Sequence, residues 1–284
     1  MNRTKNKFLY LRYYKFKESI ALLLALFIDS IHRRIPRRLF IVKNTYQTLL
    51  LRGAKISRKN KEVIIDLHDF KYNLRLAGSD FEVFNHIILQ DELKFVIKYA
   101  SQLKKSALQI IDCGANIGLA TLAIKKSFPK AKIISVEPES SNYIQLCKNI
   151  SDNNLSDVVA IEAGVWYKKT TLVPDLEFRD KSNWAFALKE AGDREANGIP
   201  VDSLSNIAAT VGWSHVDLLK IDIEGSEFEI FRNVDKWQAI FDTVKIISVE
   251  VHEEKGSASE IEEILIQNGF QLMHSGELLI GLRI

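Results

Sequence analysis

Cysteine and proline are scarce in this chain of 284 residues: two of the first and five of the second. Cys113 and Cys147 are too few for a disulfide framework and point to a reducing compartment. Long apolar runs are missing as well. The run Ile20–Ile28, "IALLLALFI", has nine residues, against the roughly 20 that a bilayer-spanning helix needs. It follows a basic stretch, as a secretory signal would, but "DSIHRRIPRR" comes next with no small-residue cleavage site. Three readings of it stay open: a helix packed on the main domain, a peripheral membrane contact, and a cleaved signal. Acids are scarce at the start of the chain. Residues 1–60 hold fifteen Lys and Arg against Glu18 and Asp29, a net +13, so the remainder carries −10 of the overall +3. A basic arm of that kind suits an anionic partner. Internal repeats and low-complexity tracts are absent. With 46% hydrophobic and 26% charged residues, the composition is that of an ordinary globular protein.

Periodicity organises the rest. Residues 1–60 read as helices with basic loops, and "EVIIDL" (62–67) and "YNLRLA" (72–77) as a hairpin joined by "HDFK". "SDFEVFNHIILQDELKFVIKYAS" reads as one helix with Ser79 or Asp80 as its N-cap. Strands and helices then alternate: "LQIIDC" and "GLATLAIKKSF", "AKIISVE" and "SSNYIQLCKNI", then the strand "VVAIEAGV". After an irregular stretch at about 165–200 come "VDSLSNIAATV" as helix, "VDLLKID" as strand, "SEFEIFRNV" as helix, "VKIISVEV" as strand and "ASEIEEILIQNG" as a helix stopping at Gly269. "FQLMHS" and "ELLIGLRI" close the chain as a tight hairpin. Runs such as "KIISV" do not alternate, which suits parallel strands buried on both faces. The closing pair can only be antiparallel, because a parallel crossover needs a dozen or more residues. The expected fold is α/β: a seven-stranded, mostly parallel sheet over 79–284 with one antiparallel strand, preceded by a helical and hairpin segment, 1–78. Its ligand site belongs at the carboxyl ends of the strands.

"IIDCGANIGLA" (110–120) runs a buried strand into a glycine turn and a helix, a setting for a nucleotide-like ligand. Dinucleotide loops read G-x-G-x-x-G, but here Gly114-Ala115-Asn116-Ile117-Gly118 lacks the middle pattern, and Asp112 stands two places before the first glycine. D-x-G-x-x-x-G is the corresponding pattern of enzymes that use S-adenosylmethionine. Glu137, nineteen residues after Gly118 at the end of the next strand, is placed to accept hydrogen bonds from ribose hydroxyls, in that cofactor or in a dinucleotide.

"IIDCGANIGLATLAIKKSFPKAKIISVEPES", "VDSL", "VDLLKIDIEGSEFEIF" and "SVEVHEE" together resemble the FkbM family of S-adenosylmethionine-dependent methyltransferases over about 79–254. The resemblance implies a Rossmann-like class I methyltransferase sheet and O-methylation of a hydroxyl on a sugar, glycoconjugate, polyketide or similar metabolite, with S-adenosylhomocysteine as product. It implies that Gly114, Asn116 and Gly118 shape the cofactor loop and that Asp112 holds the methionine end, directly or through water. Glu137 would take the ribose, Ala163 and Gly164 would lie near the adenine, and Ser79 and Asp80 would approach the methionine part. An N-cap explains Ser79 and Asp80 equally well. The motif for exocyclic amines of nucleic acids, N/D-P-P-Y, is missing, so no nucleic-acid partner is expected.

"KIDIEGSE" sets Asp222 at the end of one strand with Glu224 and Glu227 beyond, and "SVEVHEE" sets Glu250, His252, Glu253 and Glu254 at the end of the next. A hydroxyl acceptor gains from a carboxylate or imidazole that takes its proton, so Asp222, Glu224, Glu250 and His252 are the candidate catalytic residues. Glu224 and Glu227 could instead stabilise a helix N-terminus, and His252 could be a polar residue at a sheet end. His215 reads as structural. A divalent metal on Asp222 with Glu250 or His252 is conceivable but not favoured, since no full octahedral ligand set is evident. An oxidoreductase and an inactive module that keeps the pocket are the rival functions. Phe178, Trp184 and Phe186, with Trp166 and Tyr167, suit either a sugar platform or a hydrophobic cover. The location expected is cytoplasmic, with residues 1–43 available for the inner membrane face; homo-oligomerisation is left open.

Overall fold

The computed structural model describes residues 45–76, 78–174, 188–190, 198–253 and 256–283. The run Ile20–Ile28, most of the basic arm, Phe178, Trp184, Phe186 and Glu254 lie outside them. Two compact units meet between Glu92 and Leu93, later in the chain than the 78/79 boundary expected from sequence.

In the first unit, helix at 45–51 leads into a three-stranded antiparallel sheet of β1 (Lys55–Lys59), β2 (Glu62–Leu67) and β3 (Phe70–Arg75). β1 corrects the purely helical reading of residues 1–60. Four of its five residues are exposed and three are basic, so the strand has no apolar alternation to betray it. The hairpin turn is only His68-Asp69, both in left-handed geometry (φ 50° and 66°), so Phe70 and Lys71 belong to the strand. The single helix expected from Ser79 is also corrected. It divides into α1 (Asp80–Phe84), a π-helical turn (Asn85–Leu89) and, after Asp91 at φ 58°, α2 (Lys94–Gln102), which opens the second unit. Tyr72 and Phe84 pack edge to face, 5.2 Å apart.

The second unit is built on seven strands. β4 (Gln109–Cys113), β5 (Lys132–Val136), β6 (Val158–Ile161), β11 (Leu218–Ile221) and β12 (Ile246–Glu250) are parallel. β14 (Leu278–Leu282) lies antiparallel between β12 and β13 (Gln271–Ser275), giving the order β13-β14-β12-β11-β4-β5-β6. The connections carry α3 (Leu119–Ser127), α4 (Ser140–Asp152), α5 (Leu204–Ala209), α6 (Glu227–Arg232), α7 (Gln238–Phe241) and α8 (Ala258–Gln267). This is the class I methyltransferase sheet. The stretch at 165–200 is less irregular than expected. β7 (Gly164–Val165), β8 (Thr170–Pro174), β9 (Leu188–Glu190) and β10 (Ile199–Asp202) form a small sheet in the order β7-β10-β8-β9. Trp166 is buried there with Leu172 and Val201.

The two faces of the large sheet differ. One is apolar: Ile111, Cys113, Ile134, Val136, Leu219, Ile221, Ile247 and Val249 pack against Phe228, Phe231, Trp237 and Phe241. The opposite face carries a polar row. Ser135, Asp112, Lys220 and Ser248 are register partners on β5, β4, β11 and β12, and all four are buried. Residues paired in register share a face, because side chains alternate along a strand.

Candidate functional site

Two places further along each of those four strands stand Glu137, Gly114, Asp222 and Glu250, the residues that frame the candidate site. The loop after β4 is fixed by backbone bonds: the N–H groups of Gly114 and Ala115 both donate to the Val136 carbonyl, at 3.0 and 2.9 Å. Gly114, Asn116 and Gly118 all have positive φ (73°, 50° and 86°), a region costly for most side chains. Packing demands both glycines too. A Cβ at 114 would collide with the Asp222 carbonyl, and one at 118 would come within 2.6 Å of Leu146 Cδ1. The glycines therefore answer first to the protein's own neighbouring strand and helix. Buried Asn149 braces the loop from α4 by donating to the Ile117 carbonyl, 2.8 Å.

Glu137, at the end of β5, is 5% exposed. Its Oε2 accepts from the Asn116 N–H at 2.8 Å, and its Oε1 accepts from the Glu139 N–H at 3.0 Å and from Asn142 Nδ2 at 3.3 Å. Burial raises its pKa, opposed by the Glu139 and Asn116 N–H groups. A carboxylate has about four lone-pair sites; three are taken, and Oε2 retains room for another donor. Such a buried carboxylate, with one acceptor site open beside a glycine loop, fits a ribose hydroxyl. Gly164 lies close by: a Cβ there would stand 3.8 Å from the Pro138 side chain and 2.8 Å from Val201. Ala163, half-buried, precedes it.

Asp112 is fully buried on the polar face. Its Oδ2 accepts from Thr121 Oγ1 at 2.7 Å, Thr121 in turn lies 2.8 Å from Ser135 Oγ, and its Oδ1 is 3.4 Å from Lys220 Nζ. The carboxylate expected at the methionine end thus engages Thr121 and Lys220 and has no exposed surface. Asp80 sits in the first unit, also buried. Its carboxylate accepts from the Arg75 backbone N–H at 2.7 Å and pairs with the guanidinium at 2.8 Å, which locks the entry to α1. Ser79 holds the N-cap position without a side-chain cap bond.

The ends of β11 and β12 carry a charge network. Lys220 Nζ donates to Asp222 Oδ2 at 3.2 Å. Burial alone would lower the lysine pKa, but the charges of Asp222, Asp112 and Glu250 outweigh it and hold the ammonium above its ordinary value. Beyond β11 the chain turns through Glu224 and Gly225, at φ 55° and 92°. Glu227, with no exposure, accepts from the Ile223 N–H at 3.0 Å and meets His252 Nδ1 at 3.0 Å. His252 Nε2 faces Glu224 at 3.6 Å and Glu250 at 3.9 Å. Burial pulls the imidazole pKa down, yet the Glu227 hydrogen bond and the charges of Glu227, Glu224 and Asp222 prevail and lift it to about 9. At neutral pH His252 is therefore an imidazolium, a donor and not a base. Donor atoms of Asp222, Glu250 and His252 lie within 4.8 Å of one another, close enough to share a cation. Glu253 turns away and accepts from the Ala258 N–H.

Lys220, Thr121 and the bracing role of Glu227 escape a reading of motifs. For Lys220 a signal was present all the same: "IIDC", "IISV", "LLKI" and "IISV" each carry one polar residue in third place; Thr121 and Glu227, on helices, have no such mark.

A parallel sheet with one antiparallel strand in second place from its edge, a D-x-G-x-x-x-G loop and a buried acid at the next strand end define a methyltransferase fold. Comparison with known proteins gives the family. The model of the methyltransferase FkbM domain matches residues 112–272. Methyltransferase sdnD of Sordaria araneosa is 30% identical, over 57% of this chain and 73% of its own. The 31-O-demethyl-FK506 methyltransferase FkbM of Streptomyces tacrolimicus is 26% identical, over 58% and 73%. Among solved structures, a SAM-dependent methyltransferase from Agrobacterium tumefaciens aligns with a TM-score of 0.47 at 10% identity, covering 79% of this chain and 70% of that one. The chain belongs to the FkbM methyltransferase family.

Proposed function

We propose that the protein moves a methyl group from S-adenosylmethionine to a hydroxyl of a sugar, glycoconjugate or similar metabolite. The observation that carries this reading is Glu137: a buried carboxylate held by the loop's own Asn116 N–H, in line with Asp222 and Glu250 at the ends of neighbouring strands. When bound, the cofactor supplies an electrophilic methyl group on a sulfonium. Glu137 would accept from a ribose hydroxyl, the 114–118 loop would hold the amino-acid end, and Ala163 and Gly164 would border the base. Asp222, partly exposed, takes the acceptor's proton as the methyl–oxygen bond forms and the sulfur–methyl bond breaks, an effect of about 10²–10⁴-fold. The imidazolium of His252 balances the surrounding carboxylates of Glu224, Glu227 and Glu250.

Calorimetry with S-adenosylhomocysteine and with NAD separates this from an oxidoreductase: tight binding of the first and none of the second is the expected result. Transfer of labelled methyl from S-adenosylmethionine to glycan or metabolite extracts separates it from an inactive pocket. No helix among the described residues is long and apolar enough to cross a membrane. For the basic arm the reading is peripheral contact with an anionic leaflet, each Lys or Arg contributing about 1 kcal/mol. Salt-sensitive binding to phosphatidylserine-containing vesicles, lost on deletion of residues 1–43, is expected; vesicles left unbound at any salt concentration would refute it.

A further inference from the structure

We infer that Lys220 is a positioning residue: its ammonium, buried between Asp112 below the cofactor loop and Asp222 at the acceptor side, locks the two halves of the site into one unit. The inference rests on the assignment of Asp222 as the group that meets the acceptor. A buried pair alone can be merely structural, and Arg75–Asp80 is such a pair: it closes a turn. Lys220 differs in what it joins. Asp112 is wholly enclosed, whereas the Asp222 side chain is 28% exposed, so the ammonium ties a fixed anion to one that faces outward. By occupying Oδ2 of Asp222, Lys220 fixes the carboxylate's rotation and leaves Oδ1 for the incoming hydroxyl.

Two backbone links run in parallel with it. The Asp222 N–H donates to the Cys113 carbonyl at 3.1 Å, and the Asp222 carbonyl fills the space where Gly114 has no Cβ. Any shift of the loop therefore moves Asp222 with it. Positioning of this kind is worth much in catalysis, because a misplacement of about 1 Å costs on the order of 10²-fold. The polar face also contains two buried oxygens without hydrogen-bond partners, Asp112 Oδ1 and Ser248 Oγ. They belong to the register neighbours on either side of Lys220; Asp112 Oδ1 meets the ammonium as an ion pair at 3.4 Å, while the ammonium's hydrogen bond goes to Asp222.

The test uses the full chain with ¹⁵N-labelled lysine. The Lys220 Nζ resonance is assigned by its loss in Lys220→Met/Asp112→Asn, a double variant that removes the buried charges together and so avoids leaving one unpaired. In the wild type, the resonance is expected in slow exchange with water. It should shift in Asp222→Asn and again on saturation with S-adenosylhomocysteine. A resonance unmoved by Asp222→Asn overturns the inference, whatever the cofactor does. Failure of the wild type to bind S-adenosylhomocysteine in calorimetry overturns the cofactor reading instead, and the response to Asp222→Asn still decides the role of Lys220. In an extract that the wild type methylates, the double variant should lose roughly 10²-fold in kcat with the KM for S-adenosylmethionine within about threefold. Wild-type turnover in a variant whose melting temperature has fallen would mean that the lysine is only structural.

Discussion

The two halves of the site are held in place by different means. On the cofactor side, backbone groups do the work: Gly114 and Ala115 bond to Val136, and Asn116 and Glu139 point their N–H groups at Glu137. On the acceptor side, side chains hold side chains: Lys220 with Asp222, and Glu227 with His252. Backbone placement resists charge changes but not added volume. A side-chain network resists neither the loss of a charge nor a change of pH. The halves should therefore break differently.

The largest effect is expected at their junction. Gly114→Ala adds a methyl group against the Asp222 carbonyl at a positive φ, where overpacking and strain together cost about 3 kcal/mol or more. Both S-adenosylhomocysteine affinity and melting temperature should fall sharply; a variant with wild-type values of both would show that the loop is not clamped against β11. Next comes Asp222→Asn, which keeps the shape and removes the charge. Turnover should drop about 10²–10⁴-fold while the dissociation constant of S-adenosylhomocysteine stays within a few-fold. Retained turnover in the labelled-methyl assay would put the base elsewhere, on Glu224 or Glu250.

On the other side, Glu137→Ala should lower the melting temperature, because the Asn116 and Glu139 N–H groups lose their acceptor, and should weaken S-adenosylhomocysteine by roughly 1.5–3 kcal/mol, the worth of hydrogen bonds to a charged group. Calorimetry that finds no change would remove Glu137 from the ribose. The smallest effect concerns pH. The folded-state pKa of His252, about 9, lies above the ordinary imidazole value of 6.5, so protonated His252 stabilises the fold fully below about pH 6.5, and that contribution is lost as pH rises through 9. The melting temperature of the wild type should therefore fall more between pH 6.5 and 9.5 than that of His252→Gln. Parallel curves for the two proteins would show that the Glu227–His252 contact does not persist in solution.

The same contrast governs what could be read from the sequence. Strand–helix alternation, the D-x-G-x-x-x-G loop and Glu137 were legible because backbone geometry leaves its mark as glycine spacing and apolar runs. The closing hairpin was legible because two residues allow no other connection. β1 was hidden because an exposed basic strand has no apolar period. The break at Asp91 was hidden because Phe84, Leu89 and Leu93, all buried, continue a plausible helical pattern across it. Lys220 as the partner of Asp112 and Glu227 as the partner of His252 lay outside motif reading, since each pair joins residues far apart in sequence; strand register brings the first pair together, and the turn into α6 the second. A motif suggested a ligand role for Asp112, directly or through water; register adds Lys220 as its neighbour.

Register also bears on how the sheet is made. β14 sits between β12 and β13, and the ribosome produces both of those neighbours before it. Until β14 has been translated, β12 presents an open edge bearing Ile246, Ile247 and Val249, three residues that are buried once the sheet is complete. Unpaired apolar edges are templates for pairing with other chains. A nascent chain halted after α8 would lack the strand that covers that edge, so the last hairpin is what closes the sheet against pairing with other chains.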